Sequence, residues 1–104
     1  KMKTIGEFAR KPELIKIELD SEDIQREYGD TVVFYMKDFV DINTYFEFFR
    51  GQAEQKEMGH ILQTLVLNEE GQPMLKEGEE LPASLALAAL GRINEKLGKS
   101  ETRP

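Results

Sequence analysis

His60 is the one histidine of this 104-residue chain, and Glu57 stands three positions before it. That spacing puts two side chains on one face of a helix, where they can hold a stray divalent ion. A catalytic zinc site takes three protein ligands and a structural one four, so the pair falls short of a site. The chain contains no cysteine, which removes thiolate nucleophiles, disulfides and zinc–thiolate centres together. Ser21, Ser84 and Ser100 have no histidine in a recognisable partnering motif. The acidic clusters "NEEG" and "KEGEEL" lack the alternating Asp/Asn positions that place oxygens round a calcium ion. "GRINEKLGKS" ends in a GKS tripeptide without the upstream glycine of a phosphate-binding loop. Paired carboxylates for glycoside hydrolysis need a pocket, of which the sequence gives no sign. We therefore expect no catalytic, metal or cofactor site and no enzyme, with His60 an exposed helix residue.

Charge narrows the partners. Twenty acidic residues against fourteen basic ones give a net charge of −6 and leave little for a phosphate backbone or an anionic membrane surface. No apolar run approaches the roughly 20 residues that span a bilayer. The start, "KMKTIGEFARK", has no signal-peptide apolar region. The expectation is a cytoplasmic protein whose natural start is Met2 and whose partners are proteins, with neither nucleic acid nor membrane among them.

The elements that must present any binding surface follow from periodicity. Thr4 and Glu7 fit a capping box, opening a helix of about two turns that Pro12 ends. Residues 13–19 alternate, with Ile15, Ile17 and Leu19 on one face and Lys16 and Glu18 on the other, as in a half-buried strand. Asp20 or Ser21 caps a short helical turn that Gly29 terminates. Residues 31–36, "TVVFYM", are β-branched and aromatic, apolar on both faces, and predict a second, more central strand. Val32, Phe34 and Met36 are assigned to its buried face. The short connection favours antiparallel pairing.

After Asp41, residues Ile42, Tyr45, Phe46, Phe49 and Ala53 recur at helical spacing. They predict an amphipathic helix of about three turns closing over the strand pair, with a break possible at Gly51. A second helix carries Met58, Ile61, Leu62 and Leu65 on one stripe. Residues 68–73, "NEEGQP", form a turn. The last helix has Pro82 at its first position and Gly98 just past its end, with Ala86, Ala89, Leu90, Ile93 and Leu97 as its stripe. The predicted fold is α+β: mostly helical, with a two-stranded, antiparallel N-terminal β element against three or more helices. Residues 1–99 are read as one domain and 100–104 as a flexible polar tail.

Within this frame four apolar residues are candidates for contact with another protein. Phe48 falls at the flank of the aromatic stripe, and Phe39 precedes the helix, where it can serve as a staple or a contact. Leu85 and Leu87 cannot share one buried face with Leu90 and Ile93 unless a second surface covers the helix, either the strand pair or another subunit. On this reading Phe48→Asp weakens association and leaves the monomer folded.

The order of features is also informative. "FYMKDFVDINTYFEFFR" is followed by an apolar helix ending "LNEEGQPML" and by "ELPASLALAALGRINEKLGK". Over residues 13–99 this resembles the tail assembly chaperones of long-tailed bacteriophages, particularly those of Gram-positive hosts. The resemblance implies a non-catalytic protein of the infected cell's cytoplasm, absent from the finished virion. It implies that such a protein self-associates, coats the tape measure protein and recruits tail tube subunits. It also implies a longer product made by a −1 ribosomal frameshift, which codons for Leu97-Gly98-Lys99 permit. The alternatives are a small structural virion protein such as a head–tail connector, or a regulatory adaptor with the same apolar surface.

Overall fold

A computed structural model describes residues 1–98. The tail assigned to residues 100–104 lies outside the described residues. Two strands, β1 (Leu14–Leu19) and β2 (Val32–Lys37), pair antiparallel with Ile17 opposite Phe34 and Leu19 opposite Val32. Between them runs α1 (Glu22–Tyr28), and after them come α2 (Ile42–Glu54), α3 (Met58–Leu65) and α4 (Ala83–Gly98). The fold is α+β, with four α-helices and one two-stranded sheet among the described residues.

Local chemistry sets the boundaries. The Ser21 hydroxyl accepts from the Ile24 amide at 3.3 Å and caps α1, and Gly29 ends it at φ 86°, a left-handed conformation in which a Cβ is costly. Asp41 caps α2: its carboxylate accepts from the Thr44 hydroxyl at 2.6 Å and the Thr44 amide at 3.4 Å. The Thr44 hydroxyl is the main cause holding the Asp41 carboxyl below its ordinary pKa. Between the second strand and the last helix, Asn68 organises the turn at residues 68–73. Its side-chain oxygen accepts from the Glu70 and Gln72 amides, each at 2.9 Å. Just before the turn the chain meets β2, where the Tyr35 amide donates to the Leu67 carbonyl at 2.9 Å and the Leu67 amide donates back at 2.8 Å, and the turn then folds Pro73 back against Leu67. β2 thus has a backbone partner on each edge, β1 along its length and Leu67 at a single bridge, while of its two apolar faces Phe34 and Met36 are buried and Val33 stays exposed.

The core is a single cluster. Ile17, Leu19, Phe34 and Met36 come from the sheet, with Ile24 from α1. Ile61, Leu62 and Leu65 come from α3, and Ala89, Ile93 and Leu97 from α4. No buried side chain among the described residues is polar or charged. Arg92 joins α4 to the sheet from outside: its guanidinium donates to the Glu18 carbonyl at 2.6 Å. Tyr28 and Ser84 share a hydroxyl–hydroxyl bond of 2.6 Å that fixes the start of α4 against α1.

Two predicted elements differ. The two-turn helix before Pro12 is a single 3-10 turn, Ile5–Phe8, held by a bond from the Thr4 amide to the Glu7 carboxylate at 3.2 Å. Residues 1–14 are all exposed, so no packed face extends the turn, and so short a helix does not persist on propensity alone. Gly98 lies within α4, of which it is the last described residue, instead of beyond it.

The N-terminal segment is rooted at one point. Asp38, in the turn after β2, accepts from the Glu13 amide at 3.0 Å and pairs with Arg10 at 3.0 Å. The Glu13 amide is the main cause lowering the Asp38 carboxyl below its ordinary value, with Arg10 adding to it against partial desolvation. A carboxyl lowered in the folded chain stabilises above its unfolded value, 3.8, and loses that contribution as pH falls through the lower folded value. Acid titration of wild type and Asp38→Asn should therefore show a stability difference at neutral pH that closes in the acid range. Parallel curves down to the lowest pH would exclude this anchoring role.

Candidate protein interface

The aromatic helix α2 is oriented differently from its hydrophobic periodicity. Phe48 is 0% exposed and lies in the centre of the core, whereas Ile42 and Phe46 are 62% and 60% exposed. Phe48 lies about 200° round the helix from Phe46, at roughly 100° per residue, so burying one turns the other outward. Tyr45 and Phe49 occupy the flanks and are half-buried, and Ala53 is exposed. The expectation that Phe48 is a surface contact is thus corrected, and with it the assignment of Ile42 and Phe46 to the core.

The cause is the approach of α3. The inward face of α2 is Thr44, Phe48 and Gly51, of which only Phe48 is large and apolar. A Cβ built on Gly51 would lie 2.5 Å from Ile61 Cδ1 and 3.1 Å from the Lys56 carbonyl oxygen. Glycine lets the two helices close to that distance, and a reversal through left-handed Gln55 and Glu57 brings α3 back against it. Rings pack outward from this seam, Phe48 edge-on to Phe49 at 4.9 Å and Phe49 against Tyr45 at 4.7 Å. Gly51→Ala should destabilise the fold, because overpacking costs about 1–3 kcal/mol and outweighs the ~1 kcal/mol that alanine gains in helix propensity. A thermal melt of this variant at or above the wild-type midpoint would contradict the close approach.

The other candidates separate. Leu85 is half-buried beside Leu19, Val32, Phe34 and Val66, so of the two surfaces considered for the second side of α4, the sheet covers it here. Leu87 has no such cover and is 69% exposed. It borders a groove of about 550 Å³ between α3 and α4, which Met58, Leu62, Leu75, Leu81 and Leu90 line and Glu79 and Glu80 flank. Phe39 is half-buried, with the Arg10 guanidinium stacked 4.7 Å from its ring centre.

His60 is exposed, and among the described residues no group of three or more His, Cys, Asp or Glu side chains is placed to hold a metal ion. No helix among them is long and apolar enough to cross a membrane. Exposed apolar side chains are the feature that stands out. Two sets are well defined: the Ile42–Phe46 ridge of α2, and Leu87 at the α3–α4 groove. Leu87 was marked in sequence by its place off the α4 stripe, whereas the ridge was not legible from the helical stripe, since Ile42 and Phe46 belong to the same stripe as Tyr45 and Phe49. The small Thr44 and Gly51 on the opposite face were the available signal. Comparison with protein-family models, with curated proteins and with solved structures gives no match.

Proposed function

We propose that this chain is a tail assembly chaperone of a long-tailed bacteriophage, a non-catalytic binding protein that self-associates. It coats the tape measure protein and recruits tail tube subunits in the infected cell's cytoplasm, and it leaves before the virion is complete. The observation that carries the reading is the ridge of Ile42 and Phe46, one helical turn apart and mostly exposed on a helix whose other face is fixed in the core. Such a ridge presents large, rigid apolar area and no chemistry, which suits a long amphipathic helical client. The net charge of −6 keeps a chain with this much exposed apolar surface in solution and away from nucleic acid. Repetition along an elongated client gives avidity that a single ridge lacks.

Co-expression with the tape measure protein encoded beside it tests the reading. The expected result is a soluble complex containing both chains, with the tape measure protein insoluble when expressed alone. Equal insolubility with and without this chain would refute it, as would finding this chain in purified virions.

A further inference from the structure

The N-terminal segment is an arm. Its side chains are exposed throughout, and Ile5, at 91%, and Phe8 are both solvent-facing on the same short turn. The Arg10–Asp38 pair and the Glu13–Asp38 hydrogen bond fix its base at the turn after β2. The molecule measures 51 × 29 × 27 Å, long for its mass, and its radius of gyration of 15.0 Å exceeds the ~13 Å usual at this length. The arm is also the basic part of an acidic chain: Lys1, Lys3, Arg10 and Lys11 stand against Glu7 alone in the first eleven residues. The groove between α3 and α4 has the complementary character, apolar along its floor and flanked by Glu79 and Glu80.

We propose that the arm of one copy docks in the α3–α4 groove of a second copy, with Ile5 and Phe8 against Leu87 and Leu90, and Lys3 towards Glu79 and Glu80. A second copy is the occupant that the charge pattern favours, because an acidic-flanked groove attracts this exposed basic segment of an otherwise acidic chain. The arm's own copy is not served, since its base is tied to Asp38 and its apolar turn stands in solvent. Reciprocal exchange closes a dimer, whereas one-way docking builds a chain of copies, and both bury the same two surfaces. The contact deepens the self-association in the proposed function, and it stands whatever client the α2 ridge binds.

The full-length chain tests this by analytical ultracentrifugation. Wild type should associate with rising concentration, and both the double variant Ile5→Asp/Phe8→Asp and the single variant Leu87→Asp should weaken association about tenfold or more. All the substituted residues are exposed, so circular dichroism should report an unchanged fold. Mixing the two variants should restore pairing, since one retains the groove and the other the arm. Because the chain lacks cysteine, Phe8→Cys and Leu87→Cys copies can also be mixed under oxidising conditions, and the Phe8→Cys–Leu87→Cys pair should dominate over either self-pair. A monomeric wild type, association unmoved by either set of substitutions, or random disulfide pairing would each overturn the proposal. Failure of the tape measure co-expression would not touch it, so the two readings fall separately.

Discussion

Phe48→Ala should lower the stability of the fold by about 3–5 kcal/mol, the usual loss when a fully buried phenylalanine leaves a cavity. A domain of this size has in total about 5–15 kcal/mol, so the variant will be at the margin of folding and Phe48→Asp beyond it. The effect is large because Phe48 sits in the seam between α2 and α3. Its ring packs edge-on against Phe49, and α3 closes over the same face of α2 through Gly51 and Ile61. Helices already this close cannot collapse far into the space a missing ring leaves. Chemical denaturation of wild type and variant reads the loss directly. A loss under about 1 kcal/mol would mean that α2 presents another face to the core.

Ile42→Asp/Phe46→Asp should do the opposite. Both residues lie on the solvent side of α2, so the denaturation midpoint should move little, surface substitutions of this kind being worth about 0.5 kcal/mol or less each. On the proposed function, client binding should suffer heavily, because two charges would replace the apolar ridge. In the co-expression experiment the tape measure protein should return to the insoluble fraction while this chain stays soluble and folded. Retention of a soluble complex would transfer the client contact to another surface. The pair of predictions is discriminating because hydrophobic periodicity alone expects each result at the other site.

That exchange shows what a single sequence can and cannot resolve. Both strands, their antiparallel pairing, the buried faces of β1 and β2, and the stripes of α3 and α4 follow from spacing. In β1 the apolar face stands against a polar one, so burial has one solution there, and in β2 the face with Phe34 and Met36 is the one that joins the core. α2 is different. Its widest apolar arc holds Ile42, Tyr45, Phe46 and Phe49, and a rule that buries the widest arc turns Phe48 outward. What decides instead is how closely a neighbour can approach, and Thr44 and Gly51 leave room for α3 where the aromatic arc does not. Hydrophobicity says how much a residue gains by burial, whereas the small residues beside it say whether anything can reach it. Leu85 and Leu87 show the same limit: two residues apart on α4, they differ in environment because the sheet extends past one and not the other.

The pairing of β2 on both sides has a consequence for β1. Its outer margin is the sheet's remaining place for another strand, and it is short and carries Lys16 and Glu18, with the Glu18 carbonyl already taken by Arg92 of α4. An open strand of this kind is a template for amyloid-like stacking, and charged side chains with a guanidinium plug are the means by which proteins blunt it. A chain that exposes the apolar ridge of α2 thus keeps this β margin closed to uncontrolled growth. Arg92, half-buried on α4, occupies that margin at the Glu18 carbonyl, where an incoming strand would have to pair.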